Sequence, residues 1–413
     1  MTEQASPQEA FVLALGRALH TYGTPSHRLE DTLNRVCAHL GLEGQFFTQP
    51  TSIFAAFGPL ERQRTYLIRV EPGEVHLDRL AQVQDVVTGV LSGVLAPAAA
   101  AQRIQAIAAS PPPYARGLVP FAFAVSGAAS SRFLGGGARE VVAAAIAGFV
   151  IGVLALLAGR RDALRRVFEP FSALVATMIA GLLLLVLGPY SIFIASLGGM
   201  IVLLPGLTLT TAMTEISSRH LAAGTARLSG AVMVFLSIGF GVALGGTLDQ
   251  RLFGLPSAGA VVALPRWTEF VALAVAPLSL MVLLRAPRRD TLWVMATSVL
   301  AFFGGRVGAA TLGPELGLFL GSLTAGVASN VYARTLGRPA AVTLVPALLL
   351  LVPGSVGFRG LALLLQRDVV IGVEQAFRMV LMLSALVAGL LVANVLLPET
   401  RGVQRDAGNR STA

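Results

Sequence analysis

Two Pro-Gly pairs, Pro205-Gly206 and Pro353-Gly354, interrupt long apolar stretches and stand 148 residues apart (353 − 205). The first runs on into Leu207-Thr208-Leu209-Thr210-Thr211, the second into Ser355-Val356-Gly357-Phe358-Arg359. Proline removes a backbone donor and clashes with the preceding turn, and glycine weakens the helix that remains. At bilayer depth such a break frees polar backbone groups that lipid cannot satisfy, so it must line a cavity or be covered by protein. Where helix resumes, the N–H groups near Thr208–Thr210 are expected to point into that cavity. Unpaired donors and the helix dipole there attract a carboxylate. Thr208, Thr210 and Ser355 could add hydroxyl donors or cap the half-helices. The plainer alternative is that each Pro-Gly pair only kinks its helix, with the threonines bonded to their own backbone.

Charged groups near the breaks are few. Arg359 lies about 9 Å beyond Pro353 along a helix and could hold a carboxylate through two hydrogen bonds. Its structural alternative is an ion pair with Glu269, Glu315 or Glu374. Glu215 lies ~15 Å beyond Pro205, toward the inner mouth, as a candidate partner for an ammonium group or a coupling proton. Arg219, four residues on, offers an ordinary Glu→Arg helix pair instead. No acidic residue falls near the middle of any expected span, which argues against a dedicated cation or metal carrier.

The chain that carries these residues is 54% apolar and only 13% charged over 413 residues, with mean hydropathy +0.73. Ordinary soluble domains are roughly 25% charged. Apolar stretches of span length are expected at 118–134, 140–158, 172–188, 191–213, 224–248, 267–284, 291–310, 315–333, 340–365 and 373–397. All 31 basic residues are arginine. With the N-terminus inside, the inner loops and tail hold thirteen of those arginines and the outer loops only Arg139, Arg251, Arg266 and Arg367. That bias predicts two cytoplasmic termini, and it assigns the net charge of +9 to orientation rather than nucleic-acid binding. The opening residues do not read as a cleaved signal peptide.

Five spans precede residue 262 and five follow, so the halves enter the membrane from opposite sides. If related, they form an inverted repeat, and paired broken helices in matching places point to a transporter's substrate site. In the Pro-Gly register, Ala226–Gly246 falls against Glu374–Asn394, both Gly/Ala-rich.

Residues 1–116 read as a small α+β domain. Helices are expected over 8–21, 26–40, 77–93 and 97–109, with Ser26 capping the second, and short strands at 45–48, 51–57 and 63–70. His20, His27 and His39 match no tight zinc spacing, and Cys37 excludes an intrachain disulfide by being alone. A hydrolase reading through His20, His27, Glu30 or Asp31 lacks a nucleophile motif such as G-x-S-x-G.

The segment from Leu15 to Glu30, with Leu40-Gly41-Leu42, Gln45-Phe46-Phe47 and Pro50-Thr51-Ser52-Ile53-Phe54, resembles the opening domain of the bacterial threonine/serine exporter family. Leu203-Leu204-Pro205-Gly206-Leu207-Thr208-Leu209-Thr210-Thr211 and Gly224-Thr225-Ala226-Arg227-Leu228-Ser229-Gly230 resemble the signature of its first membrane half, and Leu351-Val352-Pro353-Gly354-Ser355 that of its second. The resemblance covers nearly the whole chain in the family's order. It implies an inner-membrane exporter of small hydroxylated amino acids driven by the proton-motive force. Members also resemble carriers of small dicarboxylates.

The sequence therefore predicts an α-helical polytopic membrane protein of ten spans in an inverted 5+5 repeat with broken helices. Its parts are a cytoplasmic domain (1–116), two membrane repeats (117–262 and 263–399) and a cytoplasmic tail (400–413). The expected partners are a small-molecule substrate, protons and the lipid bilayer, with no cofactor and no nucleic acid, and a homo-oligomer stays open. The alternatives are a small-dicarboxylate exporter and a membrane-anchored sensor or hydrolase acting through its N-terminal domain.

Overall fold

The computed structural model describes residues 6–71, 73–254, 259–365 and 367–399. The predicted tail 400–413 lies outside the described residues. Ser6 starts the first helix, α1 (Pro7–Thr21), with a reciprocal cap: its hydroxyl accepts from Glu9 N–H at 3.2 Å and its own N–H donates to the Glu9 carboxylate at 2.8 Å. α2 (Ser26–Leu40) ends on Gly41 in the left-handed conformation. The expected cap by Ser26 does not form. Pro25 occupies the cap position, and Ser26 opens the helix with its N–H turned to another partner.

Strands β1 (Gly44–Gln49), β2 (Ser52–Phe57) and β3 (Arg64–Arg69) follow as an antiparallel sheet in sequential order. Alternation puts Ile53, Ala55 and Phe57 of β2 inward and leaves Phe54 outward. Helices α3 (Leu77–Leu91) and α4 (Pro97–Ala109) complete the unit. Phe11 and Leu15 of α1, Leu29 and Leu33 of α2, Phe57 of β2 and Val83 and Val87 of α3 share one core, which continues into Met281, Leu284 and Val294 of the apolar region. Two backbone bonds, Leu77 N–H to Leu284 C=O and Asp78 N–H to Arg285 C=O, both 3.0 Å, tie α3 to that region.

The apolar region is built from helices. Its first half holds α5 (Leu118–Phe133), α6 (Ala138–Ala158), the short α7 (Asp162–Arg166), α8 (Phe168–Leu182), the single turn α9 (Leu184–Leu187), α10 (Ile192–Gly199), α11 (Gly206–Ser217) and α12 (Leu221–Phe253). The second holds α13 (Thr268–Leu283), α14 (Thr291–Leu312), α15 (Pro314–Leu336), α16 (Ala341–Leu351), α17 (Gly354–Leu365) and α18 (Val369–Leu396). Among the described residues, seven helical stretches are long and apolar enough to cross a membrane, or eight if the bent pair from Ile192 to Ser217 is one span. α5 and α13, at 16 residues each, fall short of that length, so the structure carries the expected count of ten only in part.

Three helix pairings recur in the two halves. α6 meets α10 as α14 meets α16, α8 meets α12 as α15 meets α18, and α11 meets α12 as α17 meets α18. Across the middle, α11 touches α18 and α17 touches α12. In lipid no hydrophobic force joins helices, so small residues that admit close approach decide which pairs form. A Cβ on Gly241 would lie 2.2 Å from the Pro170 carbonyl oxygen and 3.0 Å from Ala173 Cβ, so α12 presses directly on α8. Gly389, 148 residues on, would meet the Phe319 carbonyl oxygen at 2.4 Å and Ser322 Oγ at 2.1 Å, which presses α18 on α15 in the same manner.

Candidate functional site

Both Pro-Gly pairs stand where a helix stops and restarts. α10 ends at Gly199, and the stretch Ile201–Ser217 leaves it at 54°; within that stretch a 3-10 turn covers Ile201–Leu203 and α11 begins at Gly206. The second interruption is milder. α16 ends at Leu351, α17 begins at Gly354, and the two still run as one span.

The breaks face each other. A Cβ on Gly206 would come within 2.5 Å of Val352 Cγ1, and one on Gly354 would lie 3.5 Å from Leu204 Cβ and 4.0 Å from Gly206 Cα. Val352 and Leu204 are themselves 148 residues apart, so each glycine contacts the residue two places before the other. Two helix N-termini, those of α11 and α17, thus converge on one point. Each contributes first-turn N–H groups without intrahelical acceptors and the positive end of its dipole.

The residues named from sequence divide at this junction. Pro205, Gly206, Pro353 and Gly354 are buried in it, with Thr208 and Ser355 half-buried in the first turns. Thr210 does not fit the expectation of a donor aimed into a cavity. It sits one turn into α11, 2% exposed, with its hydroxyl donating to the Gly206 carbonyl at 3.1 Å. Because helix resumes at Gly206 itself, the free donors belong to Leu207 and Thr208, one residue earlier than expected. Phe358, 1% exposed, stacks on Phe193 of α10 with centroids 6.3 Å apart. The Arg359 guanidinium lies 5.9 Å from that same Phe193 ring.

None of the ion pairs expected for Arg359 forms. Glu269 pairs with Arg132 at 3.4 Å and Arg306 at 2.6 Å, Glu315 pairs with Arg378 at 2.8 Å, and no pair joins Arg359 to Glu374. Among the described residues Arg359 has no carboxylate partner.

Glu215, at the far end of α11, also departs from expectation. Its partner is Arg227, whose Nε donates to both carboxylate oxygens at 3.1 and 3.0 Å, and not Arg219. The chain ends α11 at Ser217, and Arg219 is exposed with φ +66°, turning into α12, so the i, i+4 geometry is lost. Glu215 is fully buried and accepts a third bond, from Ser26 N–H at 2.9 Å.

That third bond belongs to a wider junction between the N-terminal domain and α11–α12. Glu30 accepts from Thr48 N–H at 2.8 Å and Thr48 hydroxyl at 2.7 Å, and its other oxygen faces His220 Nε2 at 3.2 Å. His220 Nδ1 faces the Ser218 carbonyl at 2.9 Å. Both ring nitrogens therefore meet acceptors, and both bonds form only in the protonated ring. His27 packs 6.1 Å from His220, and burial, then the charges of Arg28 and His220, push it down to about 4. Burial also lowers His20, which contacts the Gln49 carbonyl at 3.1 Å. Arg28 reaches Glu399, whose other oxygen accepts from Ala340 N–H at 2.8 Å at the start of α16. Ser26, Glu30, His220 and Arg227 were missed as a set. Sequence spacing carried no signal for them, because 12 residues and a turn separate Glu215 from Arg227 and 189 separate it from Ser26. Among the described residues no group of three or more His, Cys, Asp or Glu could hold a metal ion.

A family model described as "Putative threonine/serine exporter" matches residues 10–248, and a second, "Threonine/Serine exporter, ThrE", matches residues 269–396. The pheromone-regulated membrane protein 10 of Debaryomyces hansenii is 25% identical over 386 residues, covering 89% of this chain and 37% of its own length. An uncharacterized protein of Schizosaccharomyces pombe is 28% identical over 372 residues, covering 86% of this chain and 48% of its own. The chain thus spans less than half the length of these fungal relatives. No solved structure matches it. With the first model covering more than half of the chain and the second following it in order, the chain belongs to the threonine/serine exporter family of membrane proteins.

Proposed function

We propose that the chain is a secondary transporter that exports L-threonine and L-serine across a bacterial inner membrane, driven by the proton-motive force. The observation that carries this reading is the meeting of two half-helix N-termini at Gly206 and Gly354. A zwitterion needs its carboxylate taken from water without a large electrostatic penalty. Converging N–H groups and dipole ends supply that without a full charge. Thr208 and Ser355, in the two first turns, are the hydroxyl-bearing residues positioned to read a hydroxylated side chain.

The matched packing of the halves supports an inverted repeat of five spans each, with α5 and α13 completing the ten. In that arrangement alternating access follows when one half rocks against the other about the junction. The arginine bias supports cytoplasmic termini. The N-terminal domain then grips the inner ends of α11 and α12, so it restrains the half-helix that leads from the site to the cytoplasm.

A small-dicarboxylate exporter is the second reading, favoured by Arg359, a cation on a half-helix without a carboxylate partner among the described residues. Proteoliposomes loaded with labelled threonine, serine or succinate separate the two. Threonine and serine should leave faster when a proton gradient is imposed, and succinate should not. Selective succinate efflux would reverse the assignment. Reporter fusions after residues 116 and 400 should both report cytoplasm, and a periplasmic signal at either would contradict the topology.

A further inference from the structure

The last turns of α12 bury a carboxylate that no described residue neutralises. Asp249 is 4% exposed, and neither side-chain oxygen has a hydrogen-bond partner among the described residues. The place is built for it. A Cβ on Gly181 of α8 would lie 2.1 Å from Asp249 Oδ2 and 2.5 Å from Cγ, so only glycine at 181 leaves room for the carboxyl group in the α8–α12 seam.

The neighbouring ionisable groups do not supply a countercharge. From the α9–α10 link, Tyr190 spends its hydroxyl on the Ala180 carbonyl. From α6, Glu140 accepts from Gly137 N–H at 3.0 Å and Ser191 N–H at 2.9 Å, and it is an anion rather than a cation. Arg139, beside it, donates to the Pro189 carbonyl at 2.9 Å. On α12 itself Arg251 is exposed two residues further on. On α8, Thr177 is bonded to its own helix at the Ala173 carbonyl.

The corresponding seam in the second half is finished differently. There the Asn330 amide of α15 donates to Asn394 Oδ1 at 3.0 Å and to the Leu397 carbonyl at 2.7 Å. Asn330 stands 149 residues after Gly181 and Leu397 stands 148 after Asp249, so the two places match within a residue. One half closes this seam with neutral, hydrogen-bonded amides, and the other with an acid that has no partner among the described residues. An ionised carboxylate without a partner is strongly disfavoured in a low-dielectric seam, whereas its protonated form is tolerated.

We infer that Asp249 is a proton-binding site of this transporter: it takes a proton from the outer aqueous phase, stays closed in the α8–α12 seam while protonated, and gives the proton up when movement of α12 opens that seam. The inference rests on the proton-coupled reading above, and it moves the coupling role from Glu215, which Arg227 and Ser26 occupy, to Asp249. α12 is suited to carry the signal, because it packs on α11 and α17, the two half-helices that start at the junction.

Infrared difference spectroscopy of the full chain in lipid, titrated with pH, reads the protonated carboxyl directly and needs no substrate. The wild type should show a carboxylic-acid carbonyl band that Asp249→Asn lacks and Asp249→Glu shifts. A wild-type spectrum without that band, or one unchanged in Asp249→Asn, overturns the assignment. Gly181→Ala is an independent perturbation that keeps the acid but fills its niche, and it should shift or remove the band; an unaltered band also counts against the site. In proteoliposomes, Asp249→Asn should lose gradient-driven threonine efflux and keep threonine–threonine exchange. Undiminished stimulation by the proton gradient in that variant would overturn the coupling role. If the wild type shows the band but moves no threonine, the proposed transport fails while the proton site stands, so the two failures are distinguishable.

Discussion

The two junction glycines should respond differently to the same substitution. Neither Gly206 nor Gly354 has positive φ, so alanine meets no backbone strain at either position. At Gly206 the new methyl would lie 2.5 Å from Val352 Cγ1 and 3.4 Å from Val352 Cβ. Carbon atoms are at rest about 3.5–4.0 Å apart, so roughly 1 Å of overlap must be relieved. Val352 must leave its rotamer or the junction must widen, at about 1–3 kcal/mol, the usual cost of overpacking. At Gly354 the nearest atoms lie at 3.5 and 3.6 Å, ordinary contact. There the loss of chain entropy in the unfolded state should offset any repacking and leave Gly354→Ala within about 0.5 kcal/mol of wild type. Denaturant titration in mixed micelles measures both. Val352→Ala should relieve the first clash, giving a coupling energy with Gly206→Ala of about 1–2 kcal/mol. Threonine exchange should fall in Gly206→Ala and recover in the double variant. Equal stability of the two alanine variants, or additivity of Gly206→Ala with Val352→Ala, would refute the abutting geometry.

Glu215→Gln strands the largely buried Arg227 and should cost about 3 kcal/mol, the lower end for a broken buried pair because Arg227 is partly accessible. Hydrogen exchange should then rise in α1 and α2, and Arg227→Gln added to it should recover part of the loss. His27 is held at about 4 in the folded protein against 6.5 for the free ring, so the unfolded chain binds more protons between those values. Stability contributed by the neutral ring is therefore complete above 6.5 and lost as pH falls from about 6.5 toward 4. Thermal denaturation against pH should show that slope, and His27→Gln should flatten it. For the substrate, Arg359→Gln should leave threonine efflux measurable at matched protein level, while Thr208→Val with Thr210→Val impairs it more. Loss of efflux in Arg359→Gln alone would move the carboxylate to Arg359.

Helix positions were legible because hydropathy and Pro-Gly punctuation act locally. Leu118 to Phe133 and Ala138 to Ala158 lie close to the expected stretches, and the three strands fall near the runs rich in β-branched and aromatic residues. Where helix resumes was less legible, since one residue decides which N–H groups are free, and here that residue is Gly206 itself. Side-chain partners were legible only within a helix turn. Glu215 was read against Arg219 at i+4, but the positive φ of Arg219 turns the chain away and the fold delivers Arg227 and Ser26 instead. Asp249 lay at the edge of an expected span and carried no signal, because its burial depends on Gly181, far away in sequence.

The junction of α11 and α17 is proposed to bind a small hydroxylated amino acid. That proposal is tested most directly by substrate protection of a single reactive thiol there, in a chain carrying Cys37→Ser and Thr208→Cys, or Cys37→Ser and Ser355→Cys. Labelling by a small permeant maleimide should slow progressively with added threonine or serine at both positions, and succinate should leave it unchanged. Labelling indifferent to threonine and serine at both positions would contradict the account.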